Sequence, residues 1–322
     1  MYRIPAGVFV LAISLTLACS DAQAQSKRVV SFAFTGETTY EPYVYAIRKG
    51  IVSSNNVELK LAPTAIPALL QATATKQFDL IETSPLGLAI GISRGLDARI
   101  AGSAGIVRGG RYVFVKKDSP IKDPAELKGR SMGVTAIAST LVAHIRAVLA
   151  KKHQLNVSLE GGDIRWVDLP IPTLPSALDR GQVESAYLIH MSSLKSLSSP
   201  EFRTIVDMTK NFRSEFGVDP LTSVVATYDS KIAEMGPALR EAISMLRASA
   251  AYAKSNSAEV LEAVAKDSNI SVNDLKTVSQ DWYEARFTLG PEDRQMIQTI
   301  LDVGKEQGLI QSYPPLEKVF WE

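Results

Sequence analysis

Hydroxyl side chains recur in this sequence where a short apolar run ends and a helical pattern begins. They are Thr35, Thr83, Ser84, Ser139 and Thr140, with Gly36 beside the first of them. The free backbone N–H groups of a helix start, joined by such hydroxyls, favour an anion. Serine and threonine are also common helix caps, so each residue taken singly fits a structural role, and it is their clustering that predicts a binding site.

Charged and ionisable side chains near the same segments complete the candidate site. Arg108 stands in a glycine-rich stretch, and a guanidinium binds carboxylates and sulfonates through paired hydrogen bonds. His190 follows an apolar run and is a candidate donor to the ligand, whereas His144 and His153 belong to a helical pattern. Asp219 either pairs with an amine of the ligand or begins a turn.

The same residues leave a second ligand class open. Tyr40 and Tyr43 share one face of a predicted helix and, with Tyr187, are suited to stack on an aromatic solute. Glu82 or Asp219 would then pair with an amine of that solute. We favour a small organic anion, sulfonate-like or carboxylate-like, because two hydroxyl-bearing helix starts are expected to converge on it.

No catalytic motif in the sequence predicts a reaction. The run from Gly91 to Gly95 has the spacing of a nucleophile elbow, but that motif needs a strand before the serine and a helix after it. Here a helical pattern precedes Ser93 and a strand pattern follows it. The sequence contains neither a phosphate-binding glycine loop with its lysine nor histidines at zinc-ligand spacing. We therefore expect a protein that is not an enzyme and uses no cofactor.

The N-terminus has the pattern of an export signal. A basic residue precedes the apolar run Val8–Leu17, which is too short to span a bilayer comfortably. Small residues at the peptidase positions end the signal at Ala24, so we expect residues 1–24 to be removed and the mature protein to be periplasmic. A lipid anchor on Cys19 is the alternative, although Thr16 stands where a leucine-like residue is usual.

Composition limits the partners. Lys and Arg number 35 against 34 Asp and Glu, a balance that gives no electrostatic footprint for nucleic acid or for an anionic membrane surface. The expected partner is a small-molecule solute. With 322 residues, 46% of them hydrophobic, the chain is long enough for roughly two domains. A single cysteine excludes a disulfide framework.

Strand and helix patterns alternate in two series and then return to the first. The strands of the first series are predicted at 28–34, 57–61, 78–81 and 98–101. Those of the second are predicted at 111–116, 131–134, 164–167, 184–188 and 203–206. One more strand at 223–227 follows, and beyond it all patterns are helical. Such alternation is typical of parallel sheets with helices on their faces.

This order predicts one lobe inserted into another. We place the first lobe at 25–113 and 222–322, with a helical C-terminal region, and the second at 114–221. The stretches 66–79 and 171–184 align without a gap, as two related lobes would, although chance explains so short a match equally well. Ligands of α/β sheets bind beyond the carboxyl ends of the strands, so the candidate residues would face a cleft between the lobes.

Several motifs resemble one known family. Residues 117–129, KDSPIKDPAELKG, followed by Met132–Val134, resemble the crossover signature of the type II periplasmic solute-binding proteins that serve nitrate, sulfonate, taurine and thiamine-precursor transport. The segments 48–51, 77–79 and 177–184 resemble further parts of that scaffold. The sequence departs from the family at 138–140, Ala-Ser-Thr, where a glycine-serine pair often opens the second-lobe helix.

The resemblance covers nearly the whole mature chain and carries its own expectations. It implies an α/β fold of two lobes, the second inserted in the first, with a helical C-terminal region. It also implies a monomeric binding protein that closes on its solute and delivers it to an ABC permease and its ATPase subunit by peripheral contact at the inner membrane. The alternatives are a binder of a thiamine pyrimidine precursor or other aromatic solute, an enzyme of similar fold, and a sensor subunit.

Overall fold

Two β-sheets organise the chain. The computed structural model describes residues 26–137 and 139–321, so the expected signal segment, Cys19 and Ala138 lie outside the described residues. In chain order the strands are β1 (Arg28–Thr35), β2 (Val57–Thr64), β3 (Leu80–Thr83), β4 (Ala98–Val107), β5 (Tyr112–Lys116), β6 (Arg130–Val134), β7 (Ile164–Asp168), β8 (Ser185–Leu188), β9 (Phe202–Asp207), β10 (Leu221–Tyr228) and β11 (Tyr283–Glu284).

Helices cover both sheets and form most of the C-terminal region. They are α1 (Glu41–Arg48), α2 (Ile66–Thr75), α3 (Pro85–Ser93), α4 (Thr140–His153), α5 (Leu174–Asp179), α6 (His190–Leu197), α7 (Met208–Phe216), α8 (Asp229–Ser255), α9 (Ser257–Ser268), α10 (Val272–Lys276) and α11 (Pro291–Glu306). Helix α8 is kinked at Met235, shortly before Pro237. Among the described residues, every helix is too short or too polar to cross a membrane.

The two sheets divide the chain as the inserted-lobe pattern predicts. One sheet has six strands in the order β11-β4-β10-β3-β1-β2, and the other has five in the order β7-β6-β8-β5-β9. The chain leaves the first sheet after β4, builds the whole second sheet, and returns at β10. We refer to the parts around the six-stranded and five-stranded sheets as lobe 1 and lobe 2; the expected boundaries at 113/114 and 221/222 stay a prediction.

The expected parallel pairing is found in part of each sheet but not at the strands that cross between the lobes. Strand β1 is parallel to β2 and β3, and β6 is parallel to β7 and β8. Strand β10 runs antiparallel to β3 and β4, and β5 runs antiparallel to β8 and β9. Each crossover strand enters its sheet from the other lobe, so no local βαβ unit fixes its direction.

Three elements differ from the sequence pattern. The region after β10 is not wholly helical, because the two-residue strand β11 pairs with the end of β4. Helices α6 and α7 were not expected; α7 begins where Asp207 accepts from the Lys210 N–H and ends at Gly217, whose φ is +73°. Short elements of this kind give too few turns for a periodic pattern to stand out.

Strand registers bring the loops of lobe 1 to a common edge. Residues 28–35 of β1 pair in register with 57–64 of β2, and the short β3 ends at Thr83 beside them. Phe32 and Phe34 of β1 stack with ring centroids 5.5 Å apart, and Tyr40 stacks on Phe34 at 5.0 Å. This buried aromatic group fixes the loop between β1 and α1 against the sheet.

Candidate ligand-binding site

A cavity of about 90 Å³ lies where the two lobes meet. Seven of the ten residues expected in the site line it: Thr35, Tyr40, Thr83, Ser84, Ser139, Thr140 and His190. The cavity adjoins a wider cleft of about 1040 Å³, which Gly36 lines and which shares Thr35 and His190 with the cavity. The loops that follow the strands of both lobes therefore meet at this cavity, which is where α/β sheets usually bind their ligands.

The hydroxyl-bearing helix starts meet across the lobes. Ser84 precedes α3 and accepts from the Gly87 N–H at 3.2 Å, so it is a helix cap as well as a cavity residue. Its Oγ lies 2.6 Å from Oγ1 of Thr140, the first residue of α4 in the other lobe. Ser139 is 8% exposed, and its Oγ has no hydrogen-bond partner among the described residues. That hydroxyl is available to a ligand.

Arg111 supplies the positive charge of the cavity. It directly precedes β5, its side chain lines the cavity, and the residue is 2% exposed. Within the described part of the chain its Nη1 is buried without a hydrogen-bond partner. A buried guanidinium nitrogen left unpaired is energetically unfavourable, and an anion in the cavity would satisfy it with a charge-assisted hydrogen bond.

Glu82 supplies a carboxyl group at the end of β3. It is 5% exposed; its Oε2 accepts from the Thr35 N–H at 2.7 Å and its Oε1 from the Ser223 hydroxyl at 2.6 Å. Burial raises the pKa of Glu82 from 4.5 to about 7; the negative charge of Glu37 raises it too, and the two hydrogen bonds lower it. This carboxyl therefore gains or loses its proton near neutral pH.

Aromatic rings form one wall of the cavity. Tyr40 is fully buried, and its hydroxyl has no partner among the described residues. Burial raises the pKa of Tyr40 well above its ordinary value, so the phenol stays neutral. Tyr43 points elsewhere and donates to backbone carbonyl groups of Ser279 and Tyr283. Neither Tyr43 nor the buried Tyr187 lines the cavity, and only Tyr40 of the three expected stacking residues is in place.

His190 forms a second contact across the lobes. It is the first residue of α6 in lobe 2, with a φ of +48°, and its Nδ1 lies 3.5 Å from Oγ1 of Thr39 in lobe 1. Its Nε2 lies 3.6 Å from a carboxylate oxygen of Glu37. Burial lowers the pKa of His190, while Glu37 raises it. This histidine thus lies at the entrance, where the cavity and the wide cleft meet.

Arg108 and Asp219, both expected in the site, do not line the cavity. The Nη1 of Arg108 lies 2.9 Å from Oδ2 of Asp219, and its Nε lies 3.0 Å from Oε2 of Glu284. Asp219 also pairs with Arg213. These charges satisfy one another in an ion cluster next to the cavity, formed by Arg108, Arg213, Asp219, Glu284 and Arg286, whose Nε lies 3.1 Å from Oε1 of Glu284. The cavity takes its guanidinium from Arg111 instead.

Several lining residues were not expected from the sequence. They are Glu37, Thr39, Ile66, Leu69, Leu70, Arg111, Leu141, Thr222, Ser223 and Tyr283. For Arg111 one signal was present, because a charged residue opens an otherwise apolar strand directly after two glycines. The polar residues of β10 carried no comparable signal, since their approach to Glu82 depends on how the return strand pairs with β3 and β4.

Solved structures resemble this chain over almost its whole length. No protein-family model matches the sequence, and no curated protein matches it either. The periplasmic aliphatic sulphonate binding protein SsuA from Escherichia coli is 14% identical, with a TM-score of 0.69 over 92% of this chain and 93% of that one. The alkanesulfonate-binding protein SsuA from Xanthomonas axonopodis pv. citri, bound to MOPS, is 13% identical, with a TM-score of 0.71 over 92% and 99%.

A third match comes from a different kind of protein. A DszB mutant in complex with biphenyl-2-sulfinic acid is 14% identical, with a TM-score of 0.62 over 91% of this chain and 96% of that one. At identities this low, shared backbone geometry establishes architecture and leaves function to the site. The fold that the sequence motifs led us to expect is confirmed: this chain has the two-lobed periplasmic-binding-protein fold.

Proposed function

We propose that this protein is the solute-binding component of an ABC importer and that its solute is a small organic anion with a sulfonate or carboxylate head group. The observation that carries the proposal is Arg111, a buried guanidinium in the cavity whose Nη1 lacks a partner among the described residues. Buried charges are normally paired, and the missing partner here is best supplied by an anion.

The positions of two helix starts also favour a negatively charged ligand. Helices α3 and α4 begin at the cavity from opposite lobes, at Ser84 and Ser139. The partial positive charge and free N–H groups of each helix start add to the field of Arg111. The unpartnered hydroxyl of Ser139 gives the head group a further donor. These groups would hold three oxygen atoms of a sulfonate or the two of a carboxylate.

The size and lining of the cavity favour a small ligand. A volume of about 90 Å³ is well below that of a site for a drug-sized molecule, and Leu69, Leu70 and Leu141 line part of the wall. A short alkyl chain fits such a wall. A stacked pyrimidine has less support, because Tyr43 and Tyr187 do not line the cavity.

The role in import draws on the fold and on the sequence. Periplasmic sulfonate-binding proteins are among the structures that resemble this chain, and the N-terminal pattern predicts export to the periplasm. The expected partners are a membrane permease and its ATPase subunit, which a monomeric binding protein reaches in its closed state. Contacts such as Ser84 to Thr140 join the lobes in that state.

Binding without turnover is part of the proposal. The chain has one cysteine, Cys19, in the expected signal, and the described residues contain no cluster of three or more side chains suited to hold a metal ion. The serine and threonine hydroxyls of the cavity have no histidine within hydrogen-bond distance except Thr39, which is 3.5 Å from His190. The Ser223 hydroxyl of the cavity donates to the Glu82 carboxyl, and among the described residues no histidine is hydrogen-bonded to either of them.

A calorimetric panel tests the proposal. The chain starting at Gln25 would be titrated with ethanesulfonate, acetate and propionate, and with ethanol and ethylene glycol as uncharged compounds of similar size. Selective binding of an anion supports the proposal, and mass spectrometry of the recovered ligand should show it unaltered. Binding confined to the uncharged compounds, or chemical conversion of the ligand, would contradict it.

A further inference from the structure

One buried acid in the described chain lacks a counter-ion. The buried carboxyl residues there are Asp79, Glu82 and Asp293. Asp79 pairs with Lys231 at 2.8 Å, and Asp293 lies 4.0 Å from Arg286. Glu82 has no cationic group within 4 Å in this part of the structure and is bonded only by the neutral N–H of Thr35 and hydroxyl of Ser223. An ionised carboxylate in such a place is poorly stabilised.

This uncompensated acid faces the cavity that is proposed to bind an anion. The other titratable or charged residues around the same cavity are Glu37, Tyr40, Arg111, His190 and Tyr283. Two negative charges brought together in a buried site repel strongly, because little water remains to screen them. A bound anion and an ionised Glu82 are therefore hard to reconcile, whereas a protonated Glu82 offers the anion an O–H donor.

We propose that Glu82 binds the ligand as a neutral carboxylic acid, donating a hydrogen bond to the anionic head group, so that each captured anion is accompanied by one proton. The inference rests on the proposed function and deepens it by assigning a residue that links affinity to pH. The raised pKa of Glu82, about 7 before the anion adds its own charge, agrees with the geometry. The proton goes to a carboxylate oxygen of Glu82 from solvent, and no bond of the ligand changes.

The linkage has a defined sign and range. Below a pH of about 7 Glu82 is already protonated in the free protein, and affinity is constant. Above that pH each bound anion must take up a proton, so affinity for an anion that does not itself titrate falls about tenfold per pH unit. Glu82→Gln keeps an N–H donor and does not titrate, so its affinity should be the same across this range.

The other titratable residues around the cavity either change protonation outside this pH range or are tested by substitution. Burial raises the pKa of both Tyr40 and Tyr283 and lowers that of His190, which places these groups outside the window from pH 7 to pH 9. The substitutions Glu37→Gln and His190→Gln test whether either residue causes the pH dependence of the affinity.

The experiment is calorimetry of ethanesulfonate between pH 6 and pH 9, in pairs of buffers with different ionisation enthalpies. For the wild type we expect roughly a fiftyfold loss of affinity between pH 7 and pH 9, with uptake of about one proton per ligand at pH 8. Glu82→Gln should bind with no slope and no proton uptake, while Glu37→Gln and His190→Gln keep the slope. Thermal unfolding of each variant verifies that it is folded.

Separate outcomes overturn the inference and the proposed function. A wild type that binds ethanesulfonate equally at pH 7 and pH 9, without proton uptake, removes the role of Glu82 and leaves the anion-binding function intact. The role of Glu82 is equally removed if Glu82→Gln keeps the wild-type slope. A folded wild type that binds no anion at any pH overturns the proposed function, and the inference falls with it.

Discussion

The neighbourhoods of Arg108 and Arg111 differ in how their charges are satisfied, although only two residues separate them in the chain. Arg108 lies between Asp219 and Glu284, in an ion cluster whose members neutralise one another. Arg111 is 2% exposed and opens onto a cavity that also contains the unpaired acid Glu82. One neighbourhood is electrostatically complete, and the other is complete only with a ligand present.

The difference separates structural charges from functional ones. Exposed ion pairs add little stability and tolerate loss, because water and salt screen them. A buried polar or charged group without a hydrogen-bond partner lowers the stability of the fold. Such groups are common in ligand-binding sites, where the ligand supplies the partner. The incomplete region between the lobes is thus the region where substitutions should change binding most, and four predictions test this contrast.

The largest effect is expected from paired arginine substitutions. Arg111→Met removes a buried charge that contacts the anion, and it should weaken anion binding by about 2–5 kcal/mol, or roughly 30-fold or more. Arg108→Met has a similar change in shape and charge but leaves the cavity untouched, so affinity should change by less than about threefold. Calorimetry with the best anion of the panel measures both. Equal losses would show that the two neighbourhoods do not differ as described.

The second effect is a stability that depends on pH through Glu82. Its pKa is raised from 4.5 to about 7 on folding, so the folded state binds more protons than the unfolded state in this interval. Stability is therefore lost as pH rises through that interval, by about 3 kcal/mol above pH 7. Glu82→Gln avoids the loss and should unfold at higher urea concentration than the wild type at pH 8, but at nearly the same concentration at pH 4.

Asp79→Asn is the matched control, since it changes a buried acid that has a cation. The hydrogen bonds and charge of Lys231 hold the pKa of Asp79 below its ordinary value of 3.8, despite the opposing effect of burial. This carboxylate stabilises the fold above pH 3.8, and its contribution disappears as pH falls below that. The variant should therefore be less stable than the wild type at pH 7. A stabilising Asp79→Asn would contradict the assignment of the paired and unpaired acids.

Local chemistry explains which site residues could be predicted from the sequence. Ser84 and Ser139 stand directly before helices, where hydroxyl residues, helix starts and anion sites coincide, so a short stretch of sequence was enough to locate them. The positions of most strands along the chain, though not their order in the sheets, followed from alternation in the same way. The described structure shows that seven of ten expected residues share one cavity.

Long-range pairing explains what could not be predicted. The carboxylates that occupy Arg108 are 111 and 176 residues away in sequence, and no local pattern reveals such a pairing. The strand β11 has two residues and no period. The antiparallel placement of β5 and β10 depends on which lobe each crossover segment enters from, a property of the assembled fold.

A smaller effect is expected from the hydrogen bond between the lobes. Thr140→Val removes the hydroxyl that lies 2.6 Å from Ser84 but preserves the shape of a buried side chain. The closed state should lose about 0.5–1.5 kcal/mol, so the ligand-free protein becomes more open on average. Small-angle scattering should show a larger radius of gyration without ligand, whereas Thr75→Val, which alters a hydroxyl bonded within α2, should leave the radius unchanged.

The smallest effect belongs to the ion cluster itself. The side chain of Arg108 is 35% exposed and that of Asp219 is 8% exposed, so water screens the pair from the arginine side, and the coupling between the two should be about 0.2–1 kcal/mol. A double-mutant cycle with Arg108→Met and Asp219→Asn, followed by urea unfolding, isolates this coupling from the loss of each side chain alone. The coupling should shrink further at 1 M salt, where charges are screened within about 3 Å. A coupling above about 2 kcal/mol that persists at 1 M salt would mean that the Arg108 ion cluster behaves electrostatically like a buried ion pair. Arg108 and Arg111 would then differ only in whether they bind the ligand.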